Sequence, residues 1–227
     1  MGEKYMFKKL TDKVASGAKN AVRNTAYRAE NKAVSTVKQT VKNQFNAFVA
    51  NVKKVNKKVN GPLIEDFNEF KTQWEAKAGD PEQSIFFFMI AAYQYAQGAK
   101  DNGEWMATVI LPKTHLLPLD SSPTGFKINF QGDGFFLEQM AASPQIVNSY
   151  LGGTPDNNYT VDTKNLVMNI VSDGRTPTDA TIHIQSAGKD FSSPCNLRKN
   201  NNGQWKLFTI GSIATGVQKT EAEKGDF

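Results

Sequence analysis

The chain has 227 residues, of which 39% are hydrophobic and 22% charged, so it is long enough to bury the core of one or two domains without disulfide or metal support. Its single cysteine excludes an intrachain disulfide framework and is typical of a reducing, cytoplasmic compartment. No secretory signal is visible, and the most apolar run, residues 85–92, is far shorter than the roughly 20 residues of a membrane-spanning helix.

The positive charge is concentrated in residues 1–60, which we call the basic arm. The arm holds 14 Lys and Arg against 3 Asp and Glu, a net charge of +11, whereas the rest of the chain holds 13 basic and 19 acidic residues, a net charge of −6. A basic arm on an acidic body indicates a partner of negative charge, or the body itself, as the surface that the arm contacts.

The basic arm is predicted to be a long amphipathic helix. No proline precedes Pro62, and apolar or small residues recur at intervals of three and four from Phe7 to Val59. Because valine and threonine are weak helix formers, the arm is expected to fold only on a surface. The residues predicted to contact a partner are Phe7, Lys8, Lys9, Leu10, Lys13, Val14, Phe45, Phe48, Val52, Lys53, Lys54, Val55, Lys57 and Lys58.

Three kinds of partner suit such an arm. In the first interpretation the arm docks on a protein partner or on another copy of the chain, and the protein is a non-enzymatic interaction or structural protein. In the second it lies on an anionic membrane, apolar face down, which makes the protein peripheral to that membrane. In the third it binds the phosphates of nucleic acid without sequence preference, although its few arginines and aromatic residues offer little stacking.

The boundary between the arm and the body is predicted at Asn60-Gly61-Pro62, where the composition changes from basic to acidic. Asp80 followed by Pro81 is a typical helix start, with the carboxylate as N-cap and the proline in the first turn. The helices expected in the body are, in chain order, residues 63–77, 84–97, 102–111, 135–142 and 144–151.

The second half of the body has the sequence pattern of short strands. After the turn cluster of residues 152–158, apolar residues alternate in four segments separated by turns, and Asn200-Asn201-Asn202-Gly203 is a strong hairpin signal. Helices followed by strands predict an α+β domain with a small antiparallel sheet, over residues 61–218. Lys219–Phe227 is polar and is predicted to be a disordered tail. The expected strands are residues 166–171, 181–185, 195–199 and 204–210.

Three motifs give the body a resemblance to a known family. They are the helix start Asp80-Pro81-Glu82, the turn from Ser149-Tyr150 to Asn158-Tyr159, and the hairpin that runs from Ser193-Pro194 through Leu197-Arg198-Lys199 to Gly203-Gln204-Trp205-Lys206. From about Gly79 to Val217 the chain resembles an uncharacterised bacterial domain family with no known activity. The resemblance implies a fold and no function.

No residue pattern indicates catalysis or metal binding. His183 lies in an alternating strand and is expected on its polar side, while Cys195 begins a strand and is interpreted as a buried thiol. His115 lies in a proline-rich loop, and Gly132-Asp133-Gly134 lacks the spacing and the lysine of a phosphate loop. We therefore expect no metal, no cofactor and no identifiable small-molecule substrate. An enzyme would instead show a polar cleft around His115 or Asp133.

Overall fold

The computed structural model describes residues 52–224. Its helices are α1 (Phe67–Lys77), α2 (Pro81–Ala96), α3 (Lys100–Ile110), α4 (Phe135–Ala142), α5 (Gln145–Asn148) and α6 (Glu221–Lys224). Its strands are β1 (Lys53–Gly61), β2 (Leu116–Pro118), β3 (Phe126–Ile128), β4 (Leu166–Arg175), β5 (Asp179–Gln185), β6 (Ser193–Lys199) and β7 (Trp205–Thr209).

The predicted α+β class is confirmed for these residues. Five strands form one antiparallel sheet in the order β1-β4-β5-β6-β7, and β2 pairs with β3 in a separate two-stranded hairpin. Alternate residues of β4 to β7 point into the core, as the period of two requires. Cys195 is among these buried residues, as expected.

Helix α2 forms the centre of the core. It is apolar on all sides and its residues from Ile85 to Ala92 are buried, so it is covered by the sheet and by the other helices. The Asp80 carboxylate accepts a hydrogen bond from the Glu82 N–H, which confirms the predicted cap. Helix α3 packs against α2 at Gly103, where backbone atoms of Ala91 and Tyr95 leave no space for a side chain. In the described part of the chain, no helix has both the length and the hydropathy to cross a membrane.

The predicted helix of the basic arm is wrong for its last residues, because Lys53–Gly61 form strand β1. The strand pairs with β4 along its length, which places Val59 beside Met168 in the core and Gly61 beside Leu166. A spacing of four residues fits a helical face but also one face of a strand, so Val55 and Val59 satisfy both periods. Valine favours the strand when a sheet edge is available to pair with it.

The structure corrects two further predictions. The sheet domain includes β1, so it begins before the boundary predicted at Asn60-Gly61-Pro62. The predicted disordered tail is wrong for Lys219 to Lys224, because the buried Thr220 accepts a hydrogen bond from the Glu223 N–H and starts α6. The carbonyl of Gln218 accepts a further bond from the buried Tyr159 hydroxyl at 2.7 Å, which holds this segment on the domain.

A candidate anion-binding cleft

A cleft with a volume of about 810 Å³ lies between α1, the end of α3, the β2–β3 hairpin and the ends of β6 and β7. Of the 13 basic residues that follow residue 60, five line this cleft, whereas only one of the 19 acidic residues, Glu75, does so. The lining of the cleft is therefore strongly positive, although residues 61–227 carry a net charge of −6. Its basic residues are Lys71, Lys113, Arg198, Lys199 and Lys206.

Two of these cations are direct partners across two strands. Arg198 on β6 lies opposite Lys206 on β7 in the antiparallel register. Side chains at such positions are on the same face with their Cβ atoms about 5 Å apart, and like charges placed there repel each other. The side chains diverge, since the Arg198 guanidinium lies over the Phe208 ring and the Lys206 ammonium lies over the Trp74 ring. The divergence leaves the cleft open between two positive groups.

Aromatic rings support four of the five cations. The Lys206 ammonium is 4.3 Å from the centroid of the Trp74 ring and the Arg198 guanidinium is 4.9 Å from that of Phe208. Each pair orients the cation by its attraction to the ring face. The other two pairs are Lys113 over Phe126 at 5.9 Å and Lys199 over Trp205 at 4.7 Å, and Trp205 does not line the cleft.

Carboxylates neutralise little of this charge. Arg198 forms an exposed ion pair with Asp179, with 3.3 Å between Nε and Oδ1, and such pairs contribute little. Within residues 52–224, no carboxylate lies within ion-pair distance of Lys113, Lys199 or Lys206. Positive side chains placed close together without carboxylates repel each other, and this repulsion lowers the stability of the fold. The folded domain nevertheless places such side chains at this cleft.

Lys206 is the most buried of the five cations. Its Nζ donates a hydrogen bond to the Val109 carbonyl at the end of α3. Burial lowers the pKa of the Lys206 ammonium to about 8, since the charged form loses hydration; Glu75 acts weakly in the opposite direction. A partly desolvated lysine in a cleft is a typical functional group, because an anion would restore the stability of its charged form.

Trp74, which lines the cleft, has a buried hydrogen-bond donor without a partner among residues 52–224. Trp74 is only 2% exposed, and its indole Nε1 has no hydrogen-bond acceptor within the described part of the chain. A buried N–H without an acceptor is unfavourable by about 1–3 kcal/mol. Trp74 lies beneath the Lys206 ammonium, so cation and unsatisfied donor are neighbours. The indole N–H is enclosed by the protein, so the group of this pair that a ligand would meet is the Lys206 ammonium.

The β6–β7 hairpin provides an amide rim. The Asn200 side chain accepts hydrogen bonds from the backbone N–H groups of Asn202 and Gln204, and it donates to the Gln204 side chain. Its hydrogen bonds fix the loop, while the side chains of Asn201 and Asn202 are exposed at the cleft. The turn that the sequence predicted is thus also a wall of the cleft.

His115 and Asp133 are brought together beside the cleft. The Asp133 carboxylate is 2.7 Å from the His115 Nδ1, and the His115 ring packs edge-on against Phe208, which lines the cleft. Burial raises the pKa of Asp133, and the hydrogen bond to His115 acts in the opposite direction. The pair joins the loop before β2 to the turn before α4. A polar cleft near this pair is the feature expected of an enzyme, but no nucleophile among residues 52–224 is hydrogen-bonded to His115.

The other predicted residues lie in several different environments. His183 is half-buried on β5 beside the Ser192 hydroxyl, and burial lowers the pKa of its imidazole. Among the predicted contact residues of the basic arm, Val52, Lys53, Lys54 and Lys58 are exposed, whereas Lys57 forms ion pairs with Glu82 and Asp173. Val55 packs against the core from β1. The contact residues outside the described part are Phe7, Lys8, Lys9, Leu10, Lys13, Val14, Phe45 and Phe48.

Sequence reasoning missed the cleft because its residues are dispersed over the chain. They come from α1, the turn before β2, β6 and β7, and the average charge of the body hides them. One signal was present: Arg198 and Lys206 are placed symmetrically about the predicted hairpin at Asn200–Gly203, which makes them cross-strand neighbours. Among residues 52–224, no group of His, Cys, Asp and Glu side chains is arranged to hold a metal ion.

The comparisons with known proteins concern the domain that carries the cleft. No curated protein and no solved structure matches the chain. Residues 62–221 match a family model, and this range includes every residue that lines the cleft. The match confirms the resemblance of residues 79–217 to an uncharacterised family and extends it at both ends. The chain belongs to the family described as Domain of unknown function (DUF6935).

Proposed function

We propose that the domain is a binding module that holds an anionic ligand in the cationic cleft. The observation that carries the proposal is the accumulation of basic residues along one cleft: five of the 13 that follow residue 60 line it, and four of these five have no carboxylate partner in the described residues. Solubility does not require such an arrangement, since a scattered charge of either sign serves that purpose.

The chemistry of the lining supports an anion over a neutral ligand. Ammonium, guanidinium and indole N–H groups are donors without acceptor capacity, and carboxylate, phosphate or sulfate groups are acceptors. The volume of about 810 Å³ is in the range of sites that hold a small molecule or a short polymer segment. An anion in the cleft would offset the Arg198–Lys206 repulsion and the desolvation of Lys206 together.

Calorimetric titration of the full chain with tripolyphosphate tests the proposal. The test variant carries Arg198→Met and Lys206→Met, and the control variant carries Lys164→Met and Lys219→Met, two exposed lysines outside the cleft. Both variants lose two positive charges, so a general charge effect, including that of the basic arm, is equal in the two. We expect the test variant to bind at least about tenfold more weakly than the control, or 1.4 kcal/mol.

Amide chemical shifts locate the bound anion. Tripolyphosphate is expected to shift the amides of Asn200 to Gln204 at the cleft and to leave those of β4 in place. Equal affinities of the two variants, or shifts confined to other parts of the chain, would refute the proposal.

Docking of the basic arm is a separate proposal. Contact with a protein partner or with another copy is the preferred form, and an anionic membrane or nucleic acid is the alternative. Because residues 53–61 form β1, the docking proposal rests on the apolar and basic pattern of residues 1–51 and on the exposed Lys53, Lys54 and Lys58.

A further inference from the structure

This inference rests on the proposed function and concerns the chemical class of the ligand. Arg198 and Lys206 are cross-strand partners whose charged groups diverge over different rings. Because the two charged groups lie over different rings, a ligand with two linked anionic groups can pair one group with each of them. Lys71 and Lys113 extend the positive lining to α1 and to the turn before β2.

Each aromatic ring that lines the cleft carries a cation on one face. The Trp74 ring is buried beneath the Lys206 ammonium, and the Phe208 ring is covered by Arg198 and contacts the edge of His115. The Phe126 ring lies beneath Lys113. Proteins that bind nucleotides or single strands by stacking need free ring faces. In this cleft the rings serve to hold cations, and a ligand meets ammonium, guanidinium and amide groups.

We propose that the cleft selects a non-aromatic polyanion, meaning a ligand with at least two linked phosphate or sulfate groups and no base or other ring to stack. Two sources share this chemistry, a linear polyphosphate and a carbohydrate that carries several phosphate or sulfate groups. Recognition comes from the Arg198–Lys206 pair and the amides of the β6–β7 hairpin.

Four probes separate the possibilities: inorganic phosphate, tripolyphosphate, ATP and sucrose octasulfate, each titrated into the full chain at the same pH and ionic strength. We expect tripolyphosphate to bind at least about tenfold more tightly than phosphate, because only the linked anion reaches both cations. ATP, which adds adenosine to a triphosphate, is expected to bind no more tightly than tripolyphosphate. Tighter binding of sucrose octasulfate than of tripolyphosphate would assign the source to carbohydrate, and the reverse would assign it to polyphosphate.

The outcomes distinguish this inference from the proposed function. ATP binding about tenfold or more tighter than tripolyphosphate would overturn the inference, since adenine would then contribute, and would leave an anion-binding cleft intact. Phosphate binding as tightly as tripolyphosphate would overturn the requirement for linked anionic groups. If the Arg198→Met, Lys206→Met variant binds all four probes as the Lys164→Met, Lys219→Met control does, both proposals are wrong.

Discussion

Arg198 and Lys206 are direct partners in the antiparallel ladder of β6 and β7, so two positive side chains start from neighbouring positions on one face of the sheet. Such a pair reduces stability in a free protein. The arrangement is compensated by packing: each cation leans over an aromatic ring, Phe208 for Arg198 and Trp74 for Lys206. The fold therefore tolerates two like charges at neighbouring positions, as the proposed anion-binding cleft requires.

The first prediction separates stability from binding at Lys206. Substitution Lys206→Met keeps the aliphatic stem over Trp74 and removes a partly desolvated charge, so the free energy of unfolding is expected to stay the same or rise by up to about 1 kcal/mol. Tripolyphosphate affinity is expected to fall. Urea denaturation and calorimetry measure the two effects, with Lys164→Met as the control. If the free energy of unfolding of Lys206→Met fell by about 2 kcal/mol or more, the ammonium would be shown to stabilise the fold.

The second prediction concerns the dependence of stability on pH. Burial lowers the pKa of Lys189 and of Lys206 to about 8, below their ordinary value of 10.5. Between pH 8 and 10.5 the unfolded chain binds more protons than the folded chain at these two lysines, so stability rises with pH there. Burial raises the pKa of the Cys195 thiol to about 12 and also raises the pKa of Tyr150, so ionisation of the unfolded chain opposes the rise from about pH 9 at Cys195 and from about pH 10 at Tyr150.

Urea denaturation at pH 7.5, 8.5 and 9.5 checks this expectation. The increase in the free energy of unfolding with pH should be smaller in the Lys206→Met variant than in the unsubstituted protein. Lys189 accounts for the remainder, because its ammonium is held by the Tyr150 and Thr215 hydroxyls and by two carbonyls, without a carboxylate. A stability that falls steadily over this range would contradict the prediction.

The third prediction distinguishes the lysines of β1. Lys57 Nζ lies 2.9 Å from the Glu82 carboxylate and 3.7 Å from that of Asp173, whereas the neighbouring Lys58 is exposed and has no ion pair among the described residues. Lys57→Glu would place a third carboxylate beside Glu82 and Asp173, and we expect it to destabilise the protein by about 2 kcal/mol. Lys58→Glu should change stability by less than about 0.5 kcal/mol. Equal effects in thermal unfolding would mean that the ion cluster contributes nothing.

The fourth prediction tests the contact between α2 and α3. A Cβ atom at Gly103 would lie 2.5 Å from the Tyr95 backbone nitrogen and 2.7 Å from the Ala91 carbonyl oxygen. Gly103→Ala is therefore expected to cost about 2–4 kcal/mol, although alanine is the better helix former by about 1 kcal/mol. Gly79→Ala is the matched control, because its Cβ would meet nothing within 4 Å. A stabilised Gly103→Ala variant would show that the two helices separate easily.

The body of the fold could be predicted from local signals. The Asp80-Pro81 helix start, the apolar segment from Ile85 to Ala92 and the Asn200–Gly203 hairpin each have one physical interpretation, and the structure agrees with all three. Strand β1 could not be predicted in the same way. Val55 and Val59 fit a helical and an extended face equally, and the choice depends on β4, which is more than 100 residues away.

The cleft depends on long-range proximity even more. Lys71 and Lys206 are 135 residues apart in the chain and line the same cleft. The composition of residues 61–227 is acidic overall, because the carboxylates elsewhere in this part of the chain outnumber its basic residues, including the five of the cleft. Only the cross-strand pair Arg198 and Lys206 follows from a local rule, because a hairpin centred on Asn200–Gly203 brings these residues together.

Strand β1 precedes the family-matched region and nevertheless completes the sheet. A chain that lacks residues 1–60 would lose this strand. The N–H and C=O groups of β4 that face β1 would then be unpaired, and Glu82 would lose its ion pair with Lys57. Its aggregation would then report an open sheet edge instead of a lost partner contact. A truncation designed to test the basic arm should keep every residue from Val52 onward, so that it alters binding and preserves the sheet.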